Sequence, residues 1–160
     1  MSDVSKGFLD ESRAFLTGDY MPAIERCAAQ LTDDQIWRRA NEASNSIGNL
    51  ILHLTWSSRY WAVEVIGGKP IGRVRQREFD QREPIPRERL MADLRAAMAE
   101  VDDQLARTTP AGLLETRPTR MEQRSVLWCV YHIVEHFSMH TGQILSMTKD
   151  LIGALTEAES

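Results

Sequence analysis

The stretch from about Glu122 to Leu151 constrains this chain more than any other. It reads as one long helix, apolar on more than one face. A helix that is apolar around much of its circumference has to be covered by other elements on several sides. Periodicity and breakers supply three further helical stretches. The first runs from about Val4 to Gln30 and is interrupted by Pro22. Proline removes a backbone donor and clashes one turn back, here near Gly18, so this segment is either kinked or split in two. The second helix spans about Ser46 to Val65 and is stopped by Gly67, Gly68 and Pro70. The third starts after Pro86 and runs to about Ala106, with Leu90, Leu94, Met98, Val101 and Leu105 as its apolar stripe. Leu31 to Trp37 reads as the end of the first element and the start of a linker.

No convincing strand run is present, although short extended structure is expected around Thr116 to Thr119. The pattern predicts an all-α four-helix bundle forming a single domain over residues 1–160. The connections after helices two and three are longer than hairpins require, so a simple up-down order is not imposed. Net charge is -4 with a pI near 5.6, which argues against a nucleic-acid-binding surface. Cys27 and Cys129 lie far apart, with no disulfide framework or zinc ribbon in view. The opening residues, MSDVSKGFLDESRAF, hold no signal-peptide-like apolar run, and no window reaches the ~18 apolar residues of a membrane span. A soluble cytoplasmic protein with neither nucleic acid nor membrane as a partner is expected.

All four histidines fall where a metal could use them: His53 in NLILHLTW, and His132, His136 and His140 in YHIVEHFSMHTGQI. Residues four apart on a helix lie about 40° apart around the axis and one turn apart along it, close enough to share an ion. His132 and His140 are separated by roughly 12 Å along the axis, too far for one ion bound at about 2.0–2.1 Å. The pair is therefore His132/His136 or His136/His140, and a third ligand has to come from a facing helix. His53 is the one other histidine, set among Leu50, Ile51, Leu52 and Leu54. Three neutral imidazoles would leave a divalent ion an open coordination position, as in catalytic zinc sites. A lone histidine on an apolar helix face is more often a hydrogen-bonded core residue; three on one face plus a fourth on another helix shift the balance toward a metal.

His132-Ile-Val-Glu135-His136 also matches HxxEH, the motif of a class of metallopeptidases whose glutamate is the general base. Such enzymes need a further carboxylate ligand downstream, and the acids that follow here (Asp150, Glu157, Glu159) lie near the chain terminus. Around the site, Gln143 shares the face of His136 and His140 and is a candidate to orient a ligand histidine or bind substrate. Asn49 and Ser57 stand one turn either side of His53, suited either to that role or to satisfying local backbone groups. His132 reads as a core histidine or an extension of the polar lining. Glu135 is about 100° off the histidine face. Trp56, Tyr60, Trp61 and Trp128 read as core or pocket wall, Cys129 as a buried thiol, and Gly142 as a place for a helix to approach closely. Arg73, Arg75, Arg77 and Arg82 make the second connection basic; most such runs are solvated surface, and one or two are candidates to meet substrate carboxylates.

NSIGNLILHL (45–54), Arg77-Glu78-Phe79 and YHIVEHFSMHTGQI (131–144) together resemble the DinB-like superfamily, in motif order over essentially the whole chain. The HxxxHxGQ ending is the most specific piece. The resemblance implies a DinB/YfiT-like bundle with a long overhand connection, often dimeric, binding a divalent metal such as zinc or nickel. It implies His53, His136 and His140 as the ligands, with His132 left out. Characterised relatives include S-transferases using bacillithiol or mycothiol and a thiol-dependent maleylpyruvate isomerase; others have been described as metal-dependent hydrolases. The expectation is thus a homodimeric protein that activates a low-molecular-weight thiol for transfer to a small electrophile, with a metal-dependent hydrolase or a non-catalytic metal-binding protein as alternatives.

Overall fold

The computed structural model describes the backbone of residues 2–158 and the side chains of residues 4–153. Four long helical rods make up the bundle, and the first is neither broken nor split at Pro22. It runs as α1 (Ser2–Ala14), a π-helical turn (Phe15–Tyr20) and α2 (Met21–Ala29). In the wide turn the Met21 N–H donates to the Leu16 carbonyl, five residues back. Widening the backbone just ahead of Pro22 relieves the clash with the carbonyl one turn earlier, so the rod passes through. The second rod is α4 (Ile47–Arg59), prolonged by a π-helical turn over Tyr60–Ile66; the third is α6 (Arg87–Arg107) and the fourth α7 (Val126–Ala158).

Three departures from the sequence expectation bear on the site. The segment expected to be linker after Leu31 contains a short helix, α3 (Asp33–Trp37), started by a reciprocal capping box between Thr32 and Gln35. The long second connection is not without structure: it contains α5 (Arg75–Asp80). The last helix starts at Val126 rather than near Glu122, because β2 (Gln123–Ser125) pairs antiparallel with β1 (Thr116–Pro118).

Ion pairs and ring contacts give the helix directions. Arg13 pairs with Asp102, and Arg95 with Glu25, so the first rod runs antiparallel to α6. Trp61 meets Trp128 while His53 meets His136 and His140, so α4 runs antiparallel to α7. Arg59 pairs with Glu100, and Gly67 abuts Gln104, so α4 and α6 run parallel. Neighbouring parallel helices cannot be joined by a hairpin. The chain must travel back along the bundle between Gly67 and Arg87, and this return path carries α5 against α4. Around the bundle the order is α1–α2, α6, α4, α7. Leu16, Ile24, Ile51, Leu54, Leu94 and Phe137 are among the fully buried side chains at the centre. Among the described residues no helix is long and apolar enough to cross a membrane.

Trp37 closes the bundle at the start of α4. Its ring is buried, its Nε1–H donates to the Ile85 carbonyl at 3.0 Å, and it lies flat on Gly48. A Cβ at Gly48 would stand 2.7 Å from Trp37 Cε2. Gly48→Ala therefore forces a rigid ring to move, and about 1–3 kcal/mol of stability is expected to be lost, read as a lower urea midpoint. An unchanged midpoint would show that the ring is free to shift.

Candidate metal centre

Asn49 explains how the return path is held. Ser46 caps α4, its hydroxyl accepting from the Asn49 N–H, while Asn49 Oδ1 accepts from the Ser46 N–H and hydroxyl. The same Oδ1 accepts from Arg39 at 2.6 Å. Asn49 Nδ2 reaches across to donate to the carbonyls of Glu78 (2.9 Å) and Gln81 (3.1 Å). Asn49 is fully buried, with both ends of its amide engaged. It fastens α5 to α4 one turn before His53, and so acts on the histidine through the backbone of Glu78, not by direct contact.

Glu78 is the functional residue that motif reading did not assign. Its side chain is 3% exposed and lies between His53 and Arg73. His53 Nδ1 donates to Oε2 at 2.8 Å; Arg73 Nε donates to Oε1 at 2.6 Å and its terminal nitrogen to Oε2 at 2.8 Å. Burial pushes the Glu78 carboxyl up, but the hydrogen bonds from Arg73 and His53 outweigh it and hold the group below the ordinary carboxylate range. Arg73 is accordingly engaged in this buried pair and is not the free cation for substrate that its place in a basic run suggested. The trace in the sequence was Arg77-Glu78-Phe79, an acid beside an aromatic ring within a basic connection, and Phe79 does pack on the His53 ring at 4.9 Å between centroids.

With its Nδ1–H engaged by a carboxylate, the His53 ring directs Nε2 to the bundle interior. That atom lies 3.0 Å from His136 Nε2, which lies 3.1 Å from His140 Nε2. His140 is oriented from its far side in the same manner: Nδ1 donates to Gln143 Oε1 at 2.6 Å. The ligand atoms of all three rings fall within 4.8 Å of one another. Burial lowers the His140 pKa, and burial followed by the neighbouring His140 and His53 brings that of His136 from 6.5 to about 3. His136 and His140 are therefore neutral bases at ordinary pH. A proton on His136 Nε2 can satisfy one of its two neighbours but not both, whereas a divalent cation accepts all three lone pairs. An all-imidazole donor set suits zinc, nickel, copper or iron(II) rather than magnesium or calcium. The residues fit a metal.

The remaining candidates fall outside this triangle. His132 is not a core histidine: it is half-buried at a cavity mouth, stacked on Trp128 at 4.9 Å, with Nδ1 3.1 Å from Glu135 Oε2. Ser57 is buried and lines the same cavity. Cys129 is fully buried, and burial pushes its thiol to about 11, so it is no nucleophile at neutral pH. Among the described residues a Cβ on Gly142 would meet nothing within 4 Å, so close approach does not require glycine there. The cavity, about 340 Å³, opens from His53 and His136 between α4, the return path and the β-hairpin tip, walled by Tyr60, Trp61 and Met121.

The sequence profile of the DinB superfamily matches residues 22–144, and the chain belongs to that superfamily. In structure the chain is similar to a DinB-like protein from Bacillus cereus ATCC 10987, with a TM-score of 0.69 at 14% identity over 91% of each chain. It is also similar to a conserved protein from Enterococcus faecalis, with a TM-score of 0.64 at 14% identity over 96% of this chain and 98% of that one. At such identity the likeness bears on the fold. No match was found among curated proteins.

The histidine pKa shifts carry a pH dependence. A folded pKa depressed below the unfolded value gives stability that is present above pH 6.5 and lost as pH falls from there toward about 3. Metal-stripped protein should lose up to about 1.4 kcal/mol per pH unit through His136 in the upper part of that window, before carboxylates titrate. Urea unfolding at a series of pH values measures it. His136→Gln should flatten the slope; an equal slope in the variant would mean His136 does not carry it.

Proposed function

We propose that His53, His136 and His140 hold a divalent ion, zinc or nickel, in an enzyme that activates a low-molecular-weight thiol for transfer to a small electrophile. The observation that carries this reading is the convergence of three imidazoles, two with their Nδ1–H groups held from behind, of which His53 and His136 line a cavity. An ion bound by three neutral ligands would keep its full positive charge and supply Lewis acidity that favours the thiolate of an incoming thiol. The chain's own residues do the rest. Glu78, buttressed by Arg73, keeps the His53 proton on Nδ1 and increases the basicity of Nε2; Gln143 does the same for His140 more weakly, being a neutral acceptor. Tyr60 and Trp61 offer an apolar wall to an electrophile on one side of the cavity. Ser57 and His132 face the same space, but no separate general base is assigned. A homodimer is the quaternary state the family resemblance favours.

Two measurements test this. Wild-type protein purified without added metal, then titrated with zinc or nickel, should take up about one equivalent, and Glu78→Gln should bind about 10–100-fold more weakly. Uptake below a tenth of an equivalent would sink the metal reading. The loaded protein should then conjugate small thiols to a model electrophile, and His53→Ala should abolish turnover while circular dichroism still shows the bundle. Ester or amide cleavage with no thiol present would replace thiol transfer by hydrolysis; an ion bound with no turnover of either kind would leave a structural metal.

A further inference from the structure

The cavity beside the three histidines has an unusual electrostatic lining. Three arginines line it, Arg73, Arg75 and Arg120, and among the described residues no acidic residue does. Arg73 is neutralised by Glu78. Arg75 and Arg120 have no acidic partner within ion-pairing distance among the described residues, in a chain whose 23 acids outnumber its 19 lysines and arginines. Elsewhere Arg13, Arg59, Arg95 and Arg117 each find a carboxylate.

Both unpaired groups are nevertheless held in place. The Arg75 guanidinium stacks over Phe79 at 4.8 Å, and that of Arg120 over Tyr60 at 4.6 Å. Arg120 also donates to the Arg73 carbonyl at 3.1 Å, and its backbone N–H donates to the Tyr60 hydroxyl at 3.1 Å. Stacking fixes the plane of a guanidinium and leaves its edge N–H groups directed outward, the geometry that binds carboxylate and phosphate through paired hydrogen bonds. The two groups come from separate elements, the first turn of α5 and the tip of the β-hairpin, so they border the cavity on different sides.

We propose that Arg75 and Arg120 form an oxyanion-recognition site, and that the substrate taken by the three-histidine centre carries a carboxylate or a phosphate. This rests on reading that centre as the reactive end of the cavity. The anionic end of the substrate binds at the mouth, and the rest lies along Tyr60 and Trp61 toward His53 and His136. Arg75 and Arg120 are specificity-determining residues; they touch substrate but not the reacting atoms.

Binding of simple probes to the protein as purified, followed by calorimetry, tests the site. Succinate and glycerol 1-phosphate supply the two oxyanions; succinamide is the neutral counterpart. At least one anion should bind saturably below about 10 mM, with succinamide at least tenfold weaker. Arg75→Gln and Arg120→Gln should each weaken the anion about tenfold or more, as expected for lost charge-assisted hydrogen bonds, with unchanged circular dichroism. Arg82→Gln, on the same connection but outside the cavity, should leave binding unaltered. The tighter of the two anions identifies the oxyanion. Equal binding of succinamide, failure of both anions, or indifference to both arginine substitutions would overturn the proposal. An anion that merely coordinates an ion would survive both substitutions and be lost in His53→Ala, which also counts against it. Arginine-dependent binding in protein that takes up no ion would leave this site standing and remove only the metal reading.

Discussion

The Glu78 carboxylate is the contact on which the centre of this bundle depends. It accepts from His53 on one side and from Arg73 through two hydrogen bonds on the other, and it is almost completely excluded from water. A buried carboxylate is tolerated only when paired and hydrogen-bonded, and here both partners are the groups it organises. Arg73 keeps it charged, and its charge keeps the His53 proton on the side away from His136. Without that constraint His53 could turn a protonated Nε2 toward His136, and the three bare nitrogens would no longer converge.

Delivering Glu78 is the work of the bundle's topology. Because α4 and α6 lie side by side and parallel, the connecting chain has to retrace the length of α4, and it passes His53 on the way. Asn49 then fixes this return path by its main-chain carbonyls. One amide thus caps the helix that carries His53 and anchors the segment that carries Glu78, linking the histidine's position to that of its hydrogen-bond acceptor. The π-helical turn over Tyr60–Ile66 lies one turn beyond Ser57 and begins with the two rings that wall the cavity, a common placement for such turns.

Much of this was legible in the sequence because it follows from helical periodicity. The four rods, the shared face of the α7 histidines and the place of Gln143 on it are consequences of about 100° per residue. Spacing alone left His132/His136 and His136/His140 open, since it gives no sign of where the facing helix sits. What could not be read depends on tertiary contacts. Arg73 and Glu78 lie five apart in a connection, where no period links them to His53 twenty to twenty-five residues earlier. A basic run predicts solvent exposure, and the burial of Arg73 arises from the return path lying on α4. Similarly, the wide turn ahead of Pro22 is a backbone adjustment with no side-chain signature, and Val126 became the start of α7 through strand pairing of the residues before it.

His53, His136 and His140 converge as one candidate site for a divalent ion, with His53 and His140 oriented from behind by Glu78 and Gln143. Anomalous diffraction at the zinc or nickel edge from crystals grown with that ion tests it most directly. One strong peak is expected at about 2.0–2.2 Å from Nε2 of His53, His136 and His140, with Glu78 still on His53 Nδ1 and Gln143 on His140 Nδ1. A peak on His132 and His136 instead, or no peak among these rings at full metal concentration, would contradict it.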